Sequence, residues 1–184
     1  MYIFSSVLFL IKGYAAGPRY NEDGDGANFL CLHEDPQYKK VIAGNNPLSD
    51  RQGRIYGMEY ELWDSGAEAN NVFEYSNAGT LKDQPAPCAY CHAQGRTTVV
   101  MIPARTECPD GWTTEYVGYL VAQAHADRKR SEYVCWDEAP ESAAGGGVDQ
   151  NQGGLYPVEV QCGTLPCAKF IDGHEMACVV CSIW

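Results

Sequence analysis

Residues 27–37 read Ala27-Asn28-Phe29-Leu30-Cys31-Leu32-His33-Glu34-Asp35-Pro36-Gln37, and residues 131–141 read Ser131-Glu132-Tyr133-Val134-Cys135-Trp136-Asp137-Glu138-Ala139-Pro140-Glu141. Each runs aromatic, aliphatic, Cys, apolar, then acids and a proline. The likeness extends outward in both directions. Upstream, Gly13-Tyr14 recurs as Gly118-Tyr119. Downstream, Gly53-Arg54-Ile55-Tyr56-Gly57-Met58-Glu59-Tyr60 answers to Gly153-Gly154-Leu155-Tyr156-Pro157-Val158-Glu159-Val160. Each copy then closes on a Cys-x-x-Cys, Cys88–Cys91 and Cys178–Cys181. Landmarks that recur in one order point to an internal repeat.

Between these landmarks the chain carries short strand signals. Phe29–Leu32, Ile55–Leu62, Thr97–Ile102, Tyr133–Trp136, Leu155–Val160 and Ala177–Ile183 are rich in aromatic and β-branched residues and bounded by Gly, Pro, Asn and Asp. Tyr119–Arg130 has a helix-compatible composition, but its counterpart Tyr14–Gly26 holds Gly17, Pro18, Gly24 and Gly26. Two copies of one unit should share a structure, so both read as strand plus loop. Ala139–Gly154 is Gly-rich and poor in apolar residues, and reads as a mobile surface loop. The expected fold is mainly β: two tandem, internally duplicated, disulfide-bonded subdomains packed together, with little helix. The expected division is a first repeat at 13–93, a connecting segment at 94–107 and a second repeat at 108–184. Residues 1–12 are either a signal segment or an altered first strand. The apolar stretch Ile3–Ile11, followed by Lys12 and small residues, fits both readings. It is too short to span a bilayer, which takes about 20 residues.

The 184 residues hold 13 Lys+Arg against 24 Asp+Glu, a formal charge of −11. That balance disfavours a nucleic-acid partner, which needs a cationic face. Hydrophobic residues at 45% separate the chain from disordered sequences. The 19 Gly and 10 Pro show no three-residue period, so no collagen triple helix lies within this stretch.

Nine cysteines, an odd number, leave at least one thiol outside the chain's own pairs. Zinc ribbons place two Cys-x-x-Cys pairs close together, whereas these close separate copies, a whole repeat apart, with no His at a ligand-like offset. A thioredoxin-type redox site needs a βαβ setting that the flanking strand-like residues do not supply. Structural disulfides are the favoured reading. Cys162 and Cys167 have no counterpart in the first copy, and parity pairs them with each other. The remaining cysteines divide between the copies, with one orphan in the first.

Cys108-Pro109-Asp110-Gly111-Trp112 followed by Tyr116-x-Gly118-Tyr119 resembles the opening of a type IV collagen non-collagenous subdomain. From Gly13 onward the chain resembles more closely the carboxy-terminal module of invertebrate short-chain, spongin-type collagens. The likeness rests on Phe29–Leu32 with Asp35-Pro36, on Ile55–Tyr60, on Met101–Arg105, on Cys162–Cys167 and on Cys178–Ser182. The resemblance implies a secreted extracellular-matrix module that drives chain association and has no catalytic activity. Its partners would be like chains, as a homo-oligomer with a trimer among the options, and other matrix proteins. No nucleic acid, membrane span or cofactor is implied. The type IV pattern would pair Cys108 with Cys181, Cys135 with Cys178 and Cys31 with Cys88, leaving Cys91 unpaired. The sequence departs from that pattern where the first Cys-Pro-x-Gly should stand, since Phe4–Ile11 is apolar.

Two loops and four histidines complete the candidate sites. Asn21–Gly26 alternates oxygen ligands with glycines but lacks the closing Glu and the helices of an EF-hand. It leaves Asp23 and Asp25 as a weak calcium site, with a solvated acidic turn as the plainer reading. Arg128-Lys129-Arg130 occupies the matching stretch of the second copy, so the two loops could meet head-to-tail between subunits. His33, His92, His125 and His174 are scattered, and no nucleophile motif accompanies them. The rival reading is a secreted carbohydrate- or calcium-binding recognition protein using loops 21–26 and 139–154.

Overall fold

A computed structural model describes residues 7–39, 52–61, 81–144 and 149–184, and these are β-rich with no helix among them. Among the described residues there are nine strands: β1 Val7–Gly17, β2 Leu30–His33, β3 Tyr56–Tyr60, β4 Pro87–Ala93, β5 Thr98–Pro103, β6 Thr113–Ala122, β7 Val134–Asp137, β8 Gly153–Pro157 and β9 Ala177–Ile183. They belong to one sheet ordered β2-β1-β3-β8-β6-β9-β5, with β4 also on β1 and β7 also on β6.

Two long strands organise everything else. β1 pairs antiparallel with β2, β3 and β4. β6 pairs antiparallel with β7, β8 and β9. The registers correspond residue by residue. Gly13 lies opposite His33 and Cys88, as Gly118 lies opposite Asp137 and Cys178. Both long strands break register at matching places, Phe9/Ile11 in β1 and Thr114/Tyr116 in β6. The Gly of each Gly-Tyr pair has a physical reason. A methyl group on Gly13 would stand 1.6 Å from the Leu32 carbonyl oxygen, and one on Gly118 1.7 Å from that of Trp136. No side chain fits where the two backbones approach so closely.

The strand runs read from sequence correspond to β2, β3, β5, β7, β8 and β9, with shifted ends. Leu62, at the end of one run, lies outside the described residues. The segment joining the halves carries β5, whose six residues pair with β9. β1 begins at Val7 and runs across Gly13, its first part paired with β4.

The core lies between the halves. Met58, Tyr60, Leu81 and Ala86 from the first pack against Val121, Trp136 and Leu155 from the second. The Tyr60 and Trp136 rings stack with centroids 4.3 Å apart and planes 6° from parallel. Tyr60 hydroxyl donates to the Glu141 carbonyl oxygen at 2.5 Å, so its polar tip is satisfied at the edge of an apolar contact. Burial of that ring pushes its ionisation well above the ordinary tyrosine value.

Candidate functional site

Four disulfides clasp the two halves internally: Cys31–Cys88 in the first, and Cys108–Cys181, Cys135–Cys178 and Cys162–Cys167 in the second. Cys31–Cys88 and Cys135–Cys178 join matching strands, β2 to β4 and β7 to β9. Cys91 is a free, exposed thiol. It lies opposite Phe9 in β1, as Cys181 lies opposite Thr114 in β6. Although the residue is exposed, desolvation of its thiol raises the ionisation above the ordinary value, so it gains none of the activation that a reactive thiolate needs.

The feature that sets the halves apart is how they join. β3 and β8 run parallel, with Met58 opposite Gly153, Glu59 opposite Gly154 and Tyr60 opposite Leu155. Strands that match in sequence are therefore paired out of step. Met58 does not face its counterpart Val158; it faces the residue that corresponds to Gly53. A groove on the first half thus receives the segment Gln152–Leu155 of the second. Tyr20 N–H donates to Gln152 O at 2.9 Å and Glu61 N–H to Leu155 O at 3.2 Å. The Glu59 carboxylate accepts the N–H groups of Gln150 and Asn151, each at 3.2 Å. Gln123, reaching back from the second half, donates to Pro18 O at 3.1 Å and accepts from Gly154 N–H at 3.1 Å.

Within the stretch 139–154, read from sequence as a mobile surface loop, these bonds seat residues 150–154 on the first half. Ala143 N–H donates to Pro85 O at 2.9 Å, the Glu141 carbonyl takes the Tyr60 hydroxyl, and Gly153-Gly154 already belong to β8. Gly-rich composition here serves close approach, because a methyl on Gly153 would meet Met58 Cε at 2.0 Å and Pro18 O at 2.6 Å. Residues 145–148 lie outside the described part.

The junction is also acidic. Burial, followed by repulsion from Asp83, Glu59 and Asp149, pushes the Glu61 carboxyl up to about 7, with Lys82 opposing the shift. Glu59 is raised for the same first reason and partly restored by its two backbone donors.

The two oppositely charged loops meet here, inside one chain. Lys129 N–H donates to Tyr20 O at 3.0 Å, and its ammonium reaches the carbonyl oxygens of Gly24 and Asp25. Asp25 Oδ1 accepts the Arg54 N–H at 2.6 Å. An ammonium therefore takes the oxygens that a cation would use, and the Asp25 carboxylate is committed to the backbone. Asp23 is exposed. Among the described residues no three acids, histidines or cysteines group so as to hold a metal ion. His33 accepts the Asp35 N–H at 2.9 Å in a local turn, and His125 lines the cleft described next.

The second half carries its own version of the groove, an open cleft of about 660 Å³ beside Val158, Glu159 and Val160. Its wall is built like that of the first. Val160 N–H donates to His174 O and Met176 N–H to Val158 O, which bridges Glu159 to Glu175. In the first half Tyr60 N–H donates to Gln84 O and Ala86 N–H to Met58 O, bridging Glu59 to Pro85. Bonds of this pattern turn the N–H and C=O of the bridged residue to the opposite side. For Glu59 that side is β8; for Glu159 it is the cleft. Glu59 is buried at 7% exposure, while Glu159 is exposed.

No family model matches the chain, and no solved structure matches it. No helix among the described residues is long and apolar enough to cross a membrane. The four disulfides fit an oxidising, extracellular setting.

Proposed function

We propose that this chain is an extracellular structural and assembly module, of the non-collagenous type found in short-chain collagens, which associates with like chains. It acts without catalysis and contributes a rigid, disulfide-clasped body to a matrix. One observation carries the reading: the halves are joined by unlike surfaces of like units, strand 153–155 of one in the groove 58–60 of the other. Contacts of that kind repeat, as rings or as filaments, because each leaves one surface of either sort at its ends. The disulfides support the secreted setting, and the resemblance in Cys162–Cys167 and Cys178–Ser182 supports the matrix setting.

Sedimentation equilibrium of the full, non-reduced chain tests the reading. Weight-average mass should rise with concentration through the micromolar range. A mass that stays at one chain throughout would overturn it.

A further inference from the structure

The geometry points to a peptide-binding edge in the open cleft. There Glu159 and Gln161 take, as an added strand, an extended segment of a different protein that alternates basic and β-branched residues. This needs no second copy of the chain and does not rest on the assembly reading.

The edge is defined by where the backbone groups go. From Val158 to Cys162, alternate residues direct theirs into the chain. Val158 N–H donates to Leu120 O, and its carbonyl accepts from Met176. Val160 N–H donates to His174 O, and its carbonyl accepts from Gly173. Cys162 N–H donates to Asp172 Oδ1 at 2.6 Å. The residues between them, Glu159 and Gln161, turn theirs the other way. Among the described residues nothing bonds to the N–H or C=O of either. Both residues are exposed and line the cleft. Alternating donors and acceptors that face open space are what an added strand pairs with.

Side chains select the strand. The antiparallel bridge between Glu159 and Glu175 is flanked by hydrogen bonds at 158 and 160, so the two glutamates form a non-hydrogen-bonded pair with adjacent side chains. Like charges directly opposite are destabilising, and no cation among the described residues pairs with either. The first half differs here on both counts. Pro85 stands opposite Glu59, and the Glu59 carboxylate is occupied by two N–H groups. Asp172 adds a further carboxylate to the cleft. An incoming residue opposite Glu159 sends its side chain to this acidic face, where a lysine or arginine meets Glu159 and Glu175 together. Its neighbours point to the other face, beside Val158 and Val160, where β-branched side chains pair well. Tyr133, 61% exposed at the cleft, offers a ring to another cationic side chain. The chain's charge of −11 favours the approach of such a segment.

The test titrates a fluorescent peptide alternating lysine and valine with the full, non-reduced chain and reads anisotropy. Saturable binding is expected. The same peptide N-methylated at every residue keeps its charges but loses its backbone donors, and should bind roughly tenfold more weakly or worse. Equal binding of the two would mean attraction to an acidic surface at large, and the inference fails. Glu159→Gln combined with Glu175→Gln removes the repelling charges at constant size, so the variant should fold and bind roughly tenfold more weakly. Gln161→Pro deletes an outward N–H that bonds nothing in the chain, and should weaken binding likewise; circular dichroism checks that each variant folds. Unchanged binding by the double glutamine variant overturns the inference whether or not the proline variant folds. So does a cleft that ignores the peptide and takes a neutral oligosaccharide. Sedimentation at the titration concentration keeps the result apart from self-association, since peptide bound to a single chain supports the edge even where like chains stay separate.

Discussion

Gly153 and Gly154 leave no room for a side chain, and that fact decides what the glycine-rich stretch before β8 is for. Gly153→Ala would press a methyl against a backbone oxygen, Pro18 O, which cannot swing away as Met58 can. A loss of about 1–3 kcal/mol is expected, read as a lower denaturant midpoint at unchanged slope. Gly53→Ala should leave that midpoint nearly where it was. Glu61 makes a second prediction at this scale. Its carboxyl is raised from the ordinary value near 4.5 to about 7, so the folded state holds its proton more tightly than the unfolded chain. Stability should therefore fall as pH rises from about 4.5 to about 7 and stay reduced above. Glu61→Gln should raise the melting midpoint at pH 8 by a few degrees and leave it unchanged at pH 4.5. Solvent screening keeps the effect small, because the group is only half-buried. None of this was legible in the sequence. Glu59-x-Glu61 reads as the polar side of a half-exposed strand, and only the seating of 150–155 on top of it takes those carboxylates out of water.

Strand existence was legible, and strand limits were not, for one reason. The runs 55–62 and 155–160 match in sequence, so they suggest matching strands. Yet β3 ends three residues beyond the counterpart of β8's end, because 58–60 of one and 153–155 of the other pair together, while 56–57 pair with β1 and 156–157 with β6. Long-range pairing overrides local propensity. β4 was missed as a strand, since Pro87-Cys88-Ala89-Tyr90-Cys91-His92-Ala93 has no β-branched residue; β1 holds it in place through seven paired positions. Disulfides reinforce such pairings unequally. Cys135–Cys178 closes 43 residues and Cys162–Cys167 closes 5. By loop entropy, removing the first should cost about 4 kcal/mol and the second about 2 kcal/mol. Double Ser variants measured by chemical denaturation should keep that order, and the reverse order would mean that strain outweighs chain entropy.

Three of the four bonds lie in the second half and one in the first, so the halves are unequally cross-linked yet share a core. What couples them is compact: the parallel β3–β8 ladder, the Gln123 bridge and the Tyr60–Trp136 stack. An aromatic stack adds about 0.5–1.5 kcal/mol beyond its buried area. Coupling of that strength should make the intact protein melt in a single calorimetric transition despite the imbalance. Trp136→Leu removes the stack while keeping an apolar group, and its counterpart in the first half, Leu32, shows that the strand accepts leucine. The variant should then melt in two steps, the first half earlier because only Cys31–Cys88 limits its unfolded chain. Tyrosine emission would report the order, since Tyr14 and Tyr90 lie in the first half and Tyr116 and Tyr119 in the second. If the variant still melts in one step, the ladder and the Gln123 bridge carry the coupling without the rings.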